Sequence, residues 1–199
     1  MSITIITPTY KRDSDILRRC IDCVESQTYK NWFHIVVVDD VGFEGNISQS
    51  LIDEYSSPKR KFICTGANSN NWGNTPKQHG IDAATTDFIV FVDDDNVIFP
   101  NYLNKFMRYF DTYPTHGMAI CKIIHCGPLA PHWGEPPKII DGNPPAVRNI
   151  DTIQICIRTA IAKDCTWLNL GYCGDGHTIV NFSNHCTFGY IPEILALHL

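Results

Sequence analysis

Basic residues are scarce and scattered in this 199-residue sequence. Sixteen Lys and Arg face 21 Asp and Glu, a formal charge of −5, and no basic cluster exceeds Lys59-Arg60-Lys61. A protein that holds nucleic acid by neutralising phosphates needs a basic stripe, so that class is excluded. An anionic small ligand would need a local basic site or a bound cation. Long apolar runs are missing too. Nothing approaches the roughly 20 residues that span a bilayer, and no positive stretch followed by a long apolar one opens the chain, so no transmembrane segment is read. A soluble, unprocessed, cytoplasmic chain is expected. Internal repeats and low-complexity linkers are absent. The nine cysteines are odd in number and irregularly spaced, which argues against a disulfide framework. Cys20 and Cys23 have no second Cys or His pair at zinc-finger spacing and fall within a helical stripe, so they read as small buried side chains, with metal binding as the alternative.

What is present is 44% hydrophobic residues in a chain of one-domain length. In residues 1–110 strand-like and helix-like stretches alternate. Ile3–Thr7 is a β-branched run, and an amphipathic stretch follows over about Asp15–Ser26, with Ser14 as its expected N-cap. Ile35-Val36-Val37-Val38 is apolar without alternation, as in a strand covered on both faces. Ile47, Leu51, Ile52 and Tyr55 mark a second helix, Lys61–Cys64 a third strand, and Thr75–Ala84 a third helix. Phe88–Val92 is a fourth strand, and Tyr102, Leu103, Phe106, Met107 and Phe110 form a helical stripe. This order implies a Rossmann-like α/β domain whose mostly parallel sheet has right-handed crossovers. Residues 111–199 read as a smaller mixed region. It comprises a strand at Met118–Ile124, a proline- and glycine-rich stretch at Gly127–Pro145 expected as a long loop or irregular hairpin, and a strand at Ile153–Ile157. Helices near Thr159–Asp164 and His177–Ser183 follow, then two short strands, Phe188–Ile191 and Ile194–Leu197.

The most informative feature is Asp93-Asp94-Asp95 at the carboxyl end of the apolar strand Phe88–Val92. Strand carboxyl ends border the ligand crevice of an open α/β sheet. Two charges about 7 Å apart repel by roughly 2–3 kcal/mol at an effective dielectric near 20, so something must offset them. Asp93 and Asp95 are spaced to share a face, and hard oxygen ligands suit Mg²⁺ or Mn²⁺. A second pair, Asp39-Asp40, ends the strand before it, where Asp39 has the choice of binding a base or ribose or of organising a turn.

Thr7-Pro8-Thr9-Tyr10, Val37-Val38-Asp39-Asp40 and Phe91-Val92-Asp93-Asp94-Asp95, taken in order, resemble the successive signatures of family 2 glycosyltransferases with a GT-A fold. Asn71-Trp72-Gly73 followed by Lys77-Gln78-His79-Gly80-Ile81 is similar to that family's Asn-x-Gly and Arg-Asn-x-Gly-Ile segment, with Lys77 in place of the usual Arg and the glycines about one residue closer. The resemblance covers most of residues 3–110. It implies that residues 1–110 bind a nucleotide-diphosphate sugar of UDP, GDP or dTDP type and that residues 111–199 bind the acceptor and supply the base, within one domain. By the same resemblance Thr7, Pro8, Tyr10 and Asp39 hold the nucleotide. The DxD element Asp93, Asp94 and Asp95 holds ribose and a divalent cation, Mn²⁺ or Mg²⁺, with Asp95 and Asp93 as metal ligands. Arg12 and Lys77 are supplementary phosphate or sugar contacts, or else surface charges.

Inverting transfer needs a base opposite the leaving group. Family 2 enzymes place it in an acidic pair at a helix start, the place that Trp167–Asp175 occupies here, with Gly174 standing where the first acid is usual. Asp175 is therefore the implied base, with helix capping as the competing role. His198 is a candidate extra metal ligand, and His132, Trp133 and Glu135 are candidates for an acceptor site serving a sugar, glycan, lipid-linked or protein-linked acceptor. Gln154 and Arg158 read equally as acceptor contacts or structural donors. The expected activity is metal-dependent, inverting glycosyl transfer. Rival readings are retention, nucleotidyl transfer, which the glycine-free turn Thr7–Arg12 opposes, and a binding module without turnover. A chain this close to a bare GT-A core implies a small acceptor, or help from a partner or downstream region.

Overall fold

A computed structural model describes residues 1–127 and 134–199. In chain order it contains β1 (Ile3–Thr9), α1 (Ser14–Glu25), β2 (Trp32–Val38), α2 (Gln49–Tyr55), β3 (Arg60–Cys64), α3 (Asn74–Ala83), β4 (Phe88–Phe91), β5 (Val97–Ile98) and α4 (Tyr102–Thr112). After these come β6 (Met118–His125), β7 (Lys138–Ile140), β8 (Ile155–Arg158), α5 (Thr159–Cys165), α6 (Gly174–His185) and β9 (Phe188–His198). The α/β reading holds. Strands β3-β2-β1-β4 are parallel, as the alternating apolar runs require, and the sheet continues without a break through β8, β6, β9 and β5, with β7 paired to β6. Beyond β4 the pairing is mixed, because β8 runs antiparallel to both β4 and β6 while β9 runs parallel to β6.

Alternation along the central strands explains the covering on both faces. Phe88 and Val90 of β4 join Phe106 and Phe110 of α4 in one core, while Ile89 and Phe91 join Trp167, Ile179 and Phe182 in the other. Each such side chain contributes about 1.5–3 kcal/mol by burial. Helix α1 buries Leu17, Cys20, Ile21 and Val24, the expected stripe. Its cap is Asp13, whose carboxylate accepts from Asp15 N at 2.8 Å, and Ser14 is the first helical residue. All nine cysteines are free thiols, and Cys23 Sγ donates to the Cys20 carbonyl one turn back. Helix α3 crosses β1 so closely that a Cβ on Gly80 would sit 2.4 Å from Ile6 Cγ2.

Three elements depart from expectation. The strand expected over Ile153–Ile157 begins at Ile155, because Asp151 caps a 3-10 turn over Thr152–Gln154. The two short terminal strands are one, β9, whose Pro192-Glu193 is absorbed where the register against β6 jumps from Cys121↔Ile191 to Lys122↔Ile194. A bulge is where a sheet tolerates a residue without a backbone N–H. The pair Val97-Ile98 forms the unanticipated β5, antiparallel to β9 with Val97↔Leu197. This ladder brings the end of β9 up to the turn that follows Asp93-Asp94-Asp95.

The chain order 3-2-1-4 reverses direction between β1 and β4. At such a switch point the connecting loops diverge and leave a crevice at the strand carboxyl ends. Arg12 and Asp93–Asp95 stand at that point.

Candidate active site

The crevice has two lobes. The first, about 240 Å³, is bordered by Pro8, Tyr10, Arg12, Asp39, Trp72 and Asp94. The second, about 500 Å³, is bordered by Asp151, Tyr172, Asp175 and His198, and it shares Arg12, Trp72, Asp93 and Asp95 with the first. The turn after β1, the ends of β2, β4 and β9, the segment before β8 and the stretches leading into α3 and α6 supply these side chains.

Two cations answer the repulsion within the acidic triplet. Arg12 Nε donates to Asp94 Oδ1 at 2.9 Å, and its NH2 lies 2.8 Å from that oxygen and 3.1 Å from Asp95 Oδ2. Lys77, 1% exposed, places Nζ 3.2 Å from Asp93 Oδ1 and 3.1 and 3.0 Å from the two oxygens of Asp175. Asp93 and Asp175, far apart in sequence, thus share one buried ammonium. Burial alone would lower the pKa of that ammonium, but Asp175, Asp93 and Asp151 together outweigh it and hold it raised. Asp175 keeps 23% of its side chain on the crevice. Burial pushes its carboxyl up to about 7 against the pull of Lys77, with Asp93 and Asp151 adding to the rise. Asp95 is raised to about 6 by burial and by Asp93 and Asp94, against Arg12 and His198. Asp94 is raised by burial, with Arg12 opposing.

Helix capping does not account for Asp175. Helix α6 starts at Gly174 with Cys173 as a cap that makes no side-chain hydrogen bond, and the Asp175 carboxylate turns to Lys77. The glycine at 174 has a steric cause. A Cβ there would lie 2.4 Å from Asn74 Oδ1 and 2.9 Å from the Leu168 carbonyl. Asn74 occupies that space because its Oδ1 accepts from Trp167 Nε1 at 2.8 Å while its Nδ2 donates to the carbonyls of Asn71 and Gly171. A buried amide therefore fills the space that a side chain at 174 would need.

Other candidates are placed differently. Thr7 is buried with its hydroxyl turned inward, 2.9 Å from His34 Nε2. His34 Nδ1 accepts from Arg60 Nε, so Nε2 carries the proton and donates to Thr7. Pro8 and Tyr10 do face the first lobe. Asp39 borders it too, and its carboxylate accepts from Ser69 N at 3.1 Å and from the Ser69 hydroxyl, which ties down the loop before α3. Gln154 donates to the carbonyls of Cys121 and Ile140, and Arg158 to those of His116 and Pro114, so both are structural. Glu135 is exposed and does not border the crevice, and His132 and Trp133 lie outside the described residues. Sequence reasoning missed Asn74, Asp151 and Tyr172. Asn74 alone had a signal, adjoining the Asn71-Trp72-Gly73 segment.

Carboxylate oxygens suit Mn²⁺ or Mg²⁺. Asp93 Oδ1 is buried without a hydrogen bond, meeting only the Lys77 ammonium, and Asp95 faces the same lobe. These two fit a divalent cation. His198 borders the same lobe, with its Nδ1 3.3 Å from His125 Nδ1 and its Nε2 3.8 Å from Asp151 Oδ2. Among the described residues no three His, Cys, Asp or Glu side chains converge as a metal cluster.

Comparison with known proteins bears on the family and the fold. The chain is 29% identical over 98 residues to the amylovoran biosynthesis glycosyltransferase AmsB of Erwinia amylovora, covering 48% of this chain and 31% of that protein. It is 28% identical over 124 residues to the putative colanic acid biosynthesis glycosyl transferase WcaA of Escherichia coli, covering 62% and 43%. It spans roughly a third of the length of several such curated relatives. In fold it is similar to S. aureus TarS 1–349 in complex with UDP-GlcNAc, with a TM-score of 0.79, 16% identity and coverage of 100% of this chain and 58% of that one. The mannosyltransferase PcManGT of Pyrobaculum calidifontis, in complex with GDP-Man and Mn²⁺, gives a TM-score of 0.71, 13% identity and coverage of 98% and 56%. The model of glycosyl transferase family 2 matches residues 4–179. With that match across most of its length and the GT-A fold beneath it, the chain belongs to glycosyl transferase family 2.

Proposed function

We propose that this chain is the catalytic core of an inverting glycosyltransferase that moves a sugar from a nucleotide-diphosphate donor to an acceptor hydroxyl, with Asp175 as base. The observation that carries this reading is the Asp175 carboxylate at the edge of the lobe that Asp93 and Asp95 also border, paired to Lys77 rather than capping its helix. The first lobe takes the nucleotide, with Pro8, Tyr10 and Asp39 around the base and Asp94 toward the ribose. Asp93 and Asp95 would hold Mn²⁺ or Mg²⁺. When bound, such a cation supplies Lewis-acid neutralisation of the charge that builds on the leaving diphosphate. Arg12, released from Asp95, turns to a phosphate oxygen. Lys77 keeps Asp175 oriented. The acceptor oxygen attacks the anomeric carbon as its proton passes to Asp175, and the bond to the diphosphate oxygen breaks with its electron pair leaving on the diphosphate.

The test is release of nucleoside diphosphate from a panel of nucleotide sugars with Mn²⁺ or Mg²⁺, in wild type, Asp95→Ala and Asp175→Asn. Turnover is expected in wild type only, with Asp175→Asn still stabilised thermally by UDP, GDP or dTDP, whichever matches the first lobe. Full turnover in Asp175→Asn would remove the base assignment. Metal-independent release would remove the cation, and binding without turnover in wild type would make the chain a sugar-nucleotide module.

A further inference from the structure

Two aromatic side chains at the mouth of the crevice are not used by the reaction above. Trp72 is 69% exposed and Tyr172 50%, whereas Trp32 and Trp167 are buried. Their ring centroids are 5.4 Å apart at an interplanar angle of 83°. Trp72 stands between the two lobes, while Tyr172 borders only the lobe that holds Asp175.

We propose that Trp72 and Tyr172 form a platform for the apolar ring face of the acceptor sugar, beside Asp175. The proposal rests on the transferase reading. Trp72 has φ +62° and precedes Gly73 at φ +80°, a left-handed turn that is unfavourable for a bulky residue and is kept only where the surroundings enforce it. The enforcing group is Asn74, nearly fully buried. Its amide donates to the Asn71 carbonyl at 2.6 Å and to the Gly171 carbonyl at 3.1 Å, which fixes the loops carrying Trp72 and Tyr172 to each other. The spacing of the pair is thus set from beneath and leaves the rings presented outward. An exposed aromatic face with a second ring set nearly perpendicular to it as a side wall, and carboxylates close by, matches a pyranose, which has an apolar C–H face and a hydroxyl rim. Asp151 and Asp175 supply that rim in the same lobe.

Saturation-transfer NMR with the methyl glycosides of glucose, galactose, mannose and N-acetylglucosamine tests this, using wild type, Trp72→Ala, Trp72→Phe and Tyr172→Ala. Thermal shifts with UDP or GDP plus Mn²⁺ are recorded on the same proteins. Wild type should transfer saturation to the ring protons of at least one glycoside. Trp72→Ala and Tyr172→Ala should each weaken that binding by about fivefold or more, Trp72→Phe should keep most of it, and the nucleotide shift of Tyr172→Ala, whose ring borders only the second lobe, should not change. Glycoside binding unchanged in both alanine variants, or absent from wild type, overturns the platform. A nucleotide shift lost in Trp72→Ala while glycoside binding persists assigns the indole to the donor and overturns it too. If no nucleotide stabilises any of the proteins but glycosides still depend on Trp72, the platform stands and the transferase reading fails.

Discussion

Lys77 is the residue on which the crevice turns. An ammonium withdrawn from water is costly, and here it is retained because Asp93 and Asp175 flank it within 3.2 Å. Removing the cation and leaving the carboxylates is therefore the damaging change. Lys77→Met should lower unfolding free energy by about 3 kcal/mol, the low end for a broken buried pair because both carboxylates keep some contact with water. Urea unfolding measures this, and Lys77→Met combined with Asp175→Asn should recover part of the loss. The same pairing governs pH dependence. A base must be ionised, and burial raises the Asp175 carboxyl to about 7, so protonation on the acid side removes the proton acceptor and kcat/KM should fall as pH drops through that value. Lys77 pulls this pKa down, so the acid limb of Lys77→Met should move to higher pH. A profile identical in wild type and variant would show that Lys77 does not act on the base.

At the level of elements, the start of α6 shows what close packing demands. Gly174→Ala would drive a methyl group against Asn74 Oδ1 and the Leu168 carbonyl, where the second contact is rigid backbone. Overpacking of this kind costs about 1–3 kcal/mol. Thermal unfolding should register that loss, and turnover should fall with it because Asp175 is the next residue. Unchanged stability would mean that the Asn74 tie yields without cost. The helices α1 and α4 were legible because their apolar residues recur every three or four positions and are buried as that period requires. So were β1, β2 and β4, as apolar runs covered on both faces. Strand β5 was not, since two residues carry no period and Val97 finds its partner Leu197 only through the fold. Pro192 split β9 on paper because a ladder that tolerates it at a register shift cannot be read locally. At the site, Asp39 and Asp93–Asp95 announced themselves at strand ends, whereas the bonds that join Asn74 to Trp167 and Gly171, far along the chain, are made only by the fold.

Across the whole molecule the net charge is −5, and part of the negative charge lies along the crevice. Asp39, Asp93, Asp94, Asp95, Asp151 and Asp175 border the two lobes, against Arg12, Arg148 and the cation Lys77 beneath them. Arg12 is held by Asp94 and Asp95. A nucleoside diphosphate entering alone would meet this acidic rim with its nearest cation already engaged. A divalent cation on Asp93 and Asp95 would lower the local negative charge and release Arg12 from Asp95, leaving it held by Asp94, so the two ligands should bind with positive coupling, and linkage makes that coupling reciprocal. Titration calorimetry of UDP or GDP should show affinity rising by about 5–150-fold when Mn²⁺ is present, with Mn²⁺ affinity rising by the same factor when the nucleotide is present. Chelation with EDTA should return the nucleotide to its weaker affinity, and Asp95→Ala should shrink the coupling. Because the lobes are partly shielded from bulk ions, moderate salt should reduce the coupling less than it would for exposed charges. Equal nucleotide affinity with and without Mn²⁺ would mean that Arg12 and Lys77 suffice to hold the diphosphate, and the acidic triplet would then serve orientation alone.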